Sequence, residues 1–282
     1  MEEIMRKSLI LVALLVFATA AAAQQQLNLP RVSPKASLMQ TVGTTDITIN
    51  YNRPGVKGRT IWGGLVPYDQ VWRTGANEAT TIEFSEDVLI NGQRLPKGLY
   101  SLHTVPGRDQ WTVIFNKTAK QWGSYSYDQA QDALRITVKP ERAEFREWMG
   151  FEVQDMTMDT ARIALRWENV SVPFTVDTQS TQRAFEAAEK AINAAGDSRW
   201  LLPYRAADFA FNNNRTAEAQ KWLDMSLKEK ETIANLWLKA RMLNARGQKA
   251  DALRTAEAAI AKAGPNDQDF ATEIRRQSQG WK

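Results

Sequence analysis

The sequence predicts a mainly β N-terminal domain, an antiparallel β-sandwich or partly closed barrel, followed by an all-α domain. Three observations predict it. Short runs of alternating apolar and polar residues recur between about residues 45 and 177. An Asn91-Gly92 pair stands between two of these runs, the pairing that a tight type I′ hairpin turn favours. Beyond Thr178 the chain becomes rich in Ala, Lys, Glu and Gln at helical spacing, and two of its segments align at an offset of 33, as Ala207 does with Ala240.

The 282 residues suffice for two domains, at roughly 100–200 residues each. Hydrophobic residues make up 43% and charged residues 24%, the balance of a globular protein with a real core. The net charge is +4, but the basic residues are scattered among acids. No nucleic-acid partner is expected, because such a partner requires the basic residues gathered on one face. Cysteine is absent, which excludes a disulfide framework, thiol catalysis, thiolate metal sites and a lipoprotein anchor.

At the N-terminus, Arg6-Lys7 precedes the apolar run LILVALLVFATAAAA and then Gln24-Gln25-Gln26. Residues 1–23 read as a signal peptide with an A-x-A-type cleavage site at Ala21-Ala22-Ala23. The run falls short of the roughly 20 residues that span a bilayer. No stable membrane anchor is expected after cleavage, and the expected location is periplasmic or secreted. Residues 24–33 form a polar leader, residues 34–177 the β domain and residues 178–282 the helical domain.

Within the β domain, TDITINY at 45–51 sets Ile47, Ile49 and Tyr51 on one face, and WTVIFN at 111–116 does the same with Trp111, Val113 and Phe115. LRITV at 134–138, RIALRW at 162–167 and VSVPFTVD at 170–177 continue the pattern, for eight or nine strands in all. No helical crossover intervenes, which favours an antiparallel arrangement. Between Asn52 and Phe84 runs a long Gly- and Pro-punctuated excursion, NRPGVKGRTIWGGLVPYDQVWRTGANEATTIEF. Such a length between strands is uncommon unless the loop is packed or functional.

In the helical domain, YRAADFAFNNNRTAEAQKWLDMSLK from Tyr204 aligns with WLKARMLNARGQKADALRTAEAAIAK from Trp237. Ala207, Ala217, Ala219 and Ser226 fall on Ala240, Ala250, Ala252 and Ala259, and Asn214 falls on Gly247 at the turn between helices. The pattern resembles the tetratricopeptide repeat, whose small residues let paired helices approach closely. TQRAFEAAEKAINAAGD at 181–197 reads as the second helix of a preceding, incomplete unit. A plain helical bundle is the alternative. The resemblance implies contacts with peptides or protein partners.

Sequence motifs for chemistry are sparse. His103, in LYSLHTV, is the one histidine, so a multi-histidine metal site is excluded. A structural histidine is its plainer reading. No nucleophile-elbow, zinc-helix or phosphate-loop motif is present, so neither metal nor cofactor is expected and catalytic residues are unknown. Glu78, Glu83, Asp128 and Asp155 are available to a carboxylate pair, but nothing in the sequence pairs them. What stands out is VWRTGANEAT at 71–80, which sets Trp72, Arg73, Asn77 and Glu78 around a Gly75-Ala76 pivot.

SPKASLMQTVG, YNRPGVKGRTIWGGLVPYDQVWRTGANEATTIEFS, INGQRLPKGLYSLHTVPG and WTVIFNK together resemble the bacterial domain-of-unknown-function family 2911, over about Ser33 to Val176. The resemblance implies an exported bacterial protein and carries no catalytic residues. Two readings of VWRTGANEAT remain open. In one, Arg53, Lys57, Arg59, Trp72, Arg73, Asn77, Glu78 and His103 supply cations, an aromatic plane and polar groups to a ligand. The partner would be a glycan, a small anion or a peptide. In the other, Trp72 fills the core and Arg73 pairs Glu78 to clasp the loop. Trp122, in KQWGSYSYD, either caps a sheet or lines a cleft. The functional expectation is a noncatalytic envelope binding protein. The alternatives are a carboxylate-dependent hydrolase of an envelope glycan, with Glu78 its first candidate, and a scaffold without a pocket.

Overall fold

The computed structural model describes residues 29–195 and 200–281, so residues 1–23, expected to be a signal peptide, lie outside the described residues. The β region is an antiparallel sandwich whose sheets do not close into a barrel. Its strands are β1 (Lys35–Val42), β2 (Thr45–Asn52), β3 (Thr81–Phe84), β4 (Val88–Ile90), β5 (Gln93–Leu95), β6 (Gly98–Val105), β7 (Trp111–Asn116), β8 (Asp132–Val138), β9 (Glu141–Gln154) and β10 (Thr160–Asp177). One sheet has the order β1-β2-β3-β6-β7-β8 and the other β5-β4-β10-β9.

Ten strands stand where eight or nine are expected. Alternation alone does not single out β1 or β9, because both carry many exposed polar residues. Conversely, 162–167 and 170–177 are one bent strand, β10, whose register shifts on either side of Glu168. The hairpin forms as its sequence predicts. Asn91 and Gly92 adopt φ of 46° and 82° and join β4 to β5, the left-handed pair a type I′ turn requires.

The core lies between the sheets. Ile47, Ile49, Trp111, Val113, Phe115 and Ile136 come from one, and Phe151, Ile163, Leu165, Trp167 and Phe174 from the other. Tryptophans bind the long excursion into this core. Trp72 stacks on Trp167 at 5.8 Å between ring centroids, and Trp62 meets Trp72, Trp111 and Trp167 edge-on at 4.8–5.8 Å. Edge-to-face and offset contacts of this kind add to area burial. RPGVKGR lies along the free side of β9, with the Val56 amide donating to the Glu147 carbonyl (2.9 Å) and the Met149 amide to the Pro54 carbonyl (3.0 Å). It thereby covers an otherwise unpaired strand edge.

The chain switches from strand to helix between Asp177 and Ser180. The helices are α1 (Ser180–Ala195), α2 (Leu201–Asn212), α3 (Thr216–Glu229), α4 (Ile233–Ala245), α5 (Lys249–Ala261) and α6 (Gln268–Gln279). The start of α1 is fastened to the sandwich. Arg183 donates to Thr45 Oγ1 (2.6 Å) and the Asp87 carbonyl (3.2 Å), and the Thr44 amide donates to Ser180 Oγ (3.0 Å). Gly43 makes this fit possible, since a Cβ there would stand 2.3 Å from the Ser180 Cβ, at a φ of +59° that glycine tolerates.

Helices α2–α3 and α4–α5 form two pairs with matching geometry. Ala207 with Ala240, Ala219 with Ala252 and Ser226 with Ala259 are all fully buried at aligned positions, whereas Ala217 and Ala250 are both exposed. Asn214 and Gly247 both take left-handed φ, 60° and 77°. The closing bonds repeat too, from the Arg215 amide to the Ala210 carbonyl and from the Gln248 amide to the Leu243 carbonyl.

Candidate functional site

The site is built where VWRTGANEAT leaves β6. The Trp72 amide donates to the Thr104 carbonyl (2.7 Å) and the Thr104 amide returns to the Trp72 carbonyl (2.9 Å). Trp72 therefore continues the ladder beside β6 and faces the core. Its neighbour Arg73 must face the other way, to the outer side of the sheet where His103 also points. The chain then loops out through 74–79 and re-enters at Thr80, whose amide donates to the Arg73 carbonyl (3.1 Å). Thr74 and Asn77 take φ of 54° and 58°, and the Trp72 indole N–H donates to the Gly75 carbonyl (3.1 Å).

A second loop, residues 117–131 between β7 and β8, packs on this one. The Ala79 amide donates to the Gln121 carbonyl (3.0 Å) and the Gly123 amide to the Asn77 carbonyl (3.1 Å). Glu78 and Trp122 are thus a directly opposed pair without mutual hydrogen bonds, the geometry that brings two side chains closest on one face. Trp122 is 59% exposed. Beneath it the loop is anchored by Tyr127, whose hydroxyl donates to Asp132 (2.7 Å), and by Asn116, which donates to Asp132 (2.8 Å) and the Asp128 carbonyl (2.9 Å). Burial and the Asp132 bond push the Tyr127 hydroxyl up to about 12.

Glu78 lies on the rim of an open groove of about 460 Å³ over the outer face of β1, β2 and β3, with Lys35, Asn50, Asn52 and Thr81 in its lining. Arg31, from the polar leader, donates to both Glu78 oxygens (2.7 and 2.8 Å), Asn52 Nδ2 donates at 3.1 Å, and Lys35 Nζ stands 3.8 Å away. The Arg31 hydrogen bond holds the Glu78 carboxyl below its ordinary range. Asn77 Nδ2 donates to the Ser33 carbonyl (3.3 Å), which ties the leader to the same loop.

Beside the groove lies a buried polar cluster. His103 is fully buried, its Nδ1 lies 3.3 Å from Ser124 Oγ, and its ring packs against Tyr127 at 5.2 Å. Burial pulls it down to about 4, so the ring is neutral near pH 7. Gln121 Nε2 donates to Ser101 Oγ (3.2 Å). Burial also lowers Arg73, offset in part by Tyr125. Among the described residues, six buried side-chain polar atoms have no hydrogen-bond partner in the protein. Four of them belong to this region: Asn52 Oδ1, Arg73 Nε, His103 Nε2 and Gln121 Oε1. Such concentration is informative, because buried polar groups are ordinarily paired.

The eight residues expected from the sequence fall into three groups. All of Arg73, Asn77, Glu78 and His103 border the packed loops 74–79 and 117–131, with Glu78 opposite Trp122 and His103 against Ser124. Arg53, Lys57 and Arg59 sit at the β9 edge instead. There Arg53 Nε donates to the Met149 carbonyl (2.8 Å), the Lys57 amide to Glu147 (2.9 Å) and Arg59 to the Gly55 carbonyl (2.6 Å). Trp72, 9% exposed, has its ring against Trp62 and Trp167 and offers no open plane. The expected Arg73–Glu78 clasp does not form. Strand pairing at Trp72 sends Arg73 outward over β6, while Glu78 turns to Arg31 and Lys35. Sequence reading missed Arg31, Lys35, Asn52, Gln121 and Ser124. The aromatic, glycine-centred QWGSYSY was the available signal for the second loop.

A family described as "Protein of unknown function (DUF2911)" matches residues 33–176. No curated protein and no solved structure matches the chain.

Proposed function

Because the chain belongs to the DUF2911 family, whose description assigns no activity, we propose from the geometry that it is an exported envelope protein that binds a hydroxylated ligand, such as a glycan, without chemically altering it. The observation that carries this reading is the exposed Trp122 indole held directly opposite Glu78, a carboxylate in the lining of an open groove. An exposed indole covers sugar C–H surface, while a carboxylate, two asparagines and a lysine satisfy hydroxyl groups. The N-terminal basic-apolar-small pattern supports export to the periplasm or beyond. The repeated helix pairs support a tetratricopeptide-like second surface for a peptide or protein partner.

Hydrolysis by a carboxylate pair needs an acid and a base flanking the bond. Glu78 is the one carboxylate among the described residues lining the groove, and Arg31 favours its ionised form. Both facts support binding over hydrolysis. Calorimetric titration of the mature chain with envelope glycans and peptidoglycan fragments tests the reading. Trp122→Ala should abolish the heat of binding while leaving the melting temperature nearly unchanged, since the ring is exposed. Absence of any glycan response, or undiminished binding by the variant, would refute it.

A further inference from the structure

RPGVKGR contributes to a second feature that the groove does not use. Arg53 follows the end of β2 and its Nε donates to the Met149 carbonyl on β9. A Cβ built on Gly150 would lie 3.5 Å from Arg146 Nη1, 3.6 Å from Arg53 Nη2 and 3.6 Å from the Tyr51 hydroxyl. Three hydrogen-bond donors thus converge on one small space, which exists because residue 150 lacks a side chain. Arg166 stands directly opposite Gly150 in the β9–β10 register. It donates to Glu152 (3.0 Å), as Arg146 also does, and its buried Nε has no partner in the protein. Arg146 and Arg166 therefore share the single Glu152 carboxylate in a half-buried setting, while the Arg53 guanidinium beside them bonds to the Met149 carbonyl.

We propose that this cradle binds a phosphoryl group, as free phosphate or as a phosphomonoester. Arginine forks suit phosphate oxygens, and charge-assisted bonds are the strong ones. Donors arriving from three elements match a tetrahedral oxyanion better than a planar carboxylate, which has two oxygens. The cradle makes no use of Glu78 or Trp122, so it stands independently of the glycan reading.

Gly150→Ala is the sharpest test. Its φ lies outside the left-handed region and the added methyl meets only ordinary contact distances, so the variant should fold and melt like the parent while placing a methyl among the three donors. Thermal melting and calorimetry would be run on the mature chain with inorganic phosphate, glycerol phosphate, sulfate and acetate at matched ionic strength. The expected result is a saturable rise in melting temperature with phosphate or its ester, little with acetate, and none in Gly150→Ala. Binding should be at least tenfold weaker in Arg146→Gln, which decides the matter if the glycine variant misfolds. A response only to the ester would identify a phosphomonoester, and a response to both a bare phosphoryl site. No phosphate response at matched ionic strength, an equal response to acetate, or wild-type binding by both variants would overturn the proposal.

Discussion

The β region and the helical region solve the same problem with opposite kinds of contact. In the helices, packing is local: Ala207 and Ala240 are buried at matching places one helix pair apart, and Asn214 and Gly247 make the same turn. In the sandwich, the irregular segments are held by partners far away in sequence. Glu78 is fixed by Arg31, 47 residues earlier, and the Trp72 ring by Trp167 on β10. Substitutions in the helices should therefore act within one repeat. Those in the sandwich should act on loops and site together.

The largest expected effect tests that second half. Trp72→Ala should cost about 3–5 kcal/mol, the usual range for deleting a buried aromatic ring. It should also release the excursion, raising amide exchange across residues 53–80 while leaving the helices protected. Uniform loss of protection over both regions would mean that they unfold as one unit.

His103 offers a gentler probe of the same loop junction. The unfolded side chain takes up its proton near 6.5, whereas the folded one resists until about 4. Between these values the unfolded chain binds more protons, so stability falls as the pH drops through that window and levels off below it. The contribution amounts to about 3 kcal/mol over the whole window. Chemical denaturation of wild type and His103→Asn from pH 7 to pH 4 measures it. The difference between the two slopes should carry this amount, and parallel curves would show that the ring is not held neutral.

This contrast also explains what was legible in the sequence. The hairpin at Asn91-Gly92 and the helix pairs could be read because turn chemistry and small-residue spacing act over a few residues. The alternation at 45–51 and 111–116 was legible for the same reason. The clustering of signals in VWRTGANEAT fell on a segment that packs against residues 117–131, through Ala79 with Gln121 and Asn77 with Gly123. Its partners were hidden because they arrive through tertiary pairing. Nothing in KQWGSYSYD announces that Trp122 will face Glu78. Nor does anything in LPRVSPK announce that Arg31 will hold the same carboxylate. Arg73 and Glu78 are close in sequence, which invited the clasp, yet the Glu78 carboxylate is held instead by Arg31 and Asn52.

The smallest effect tests the claim that the helical contacts are interchangeable between repeats. Gly247 has a φ of 77° and open space where a Cβ would point, so substitution there costs backbone strain alone. Gly247→Ala should lose about 1 kcal/mol, whereas Gly247→Asn should lose less, because asparagine tolerates the left-handed region better than alanine. Asn214, at φ 60° in the preceding turn, provides the mirror experiment. Asn214→Gly should be neutral or slightly stabilising, and Asn214→Ala should cost about as much as Gly247→Ala. Thermal denaturation of the four variants reads the comparison directly. Matching losses at the two alanine variants would show that the turns are one device used twice. A loss at only one of them would mean that its neighbour is held by something other than the turn, and that the two pairs have diverged in mechanics despite their common spacing.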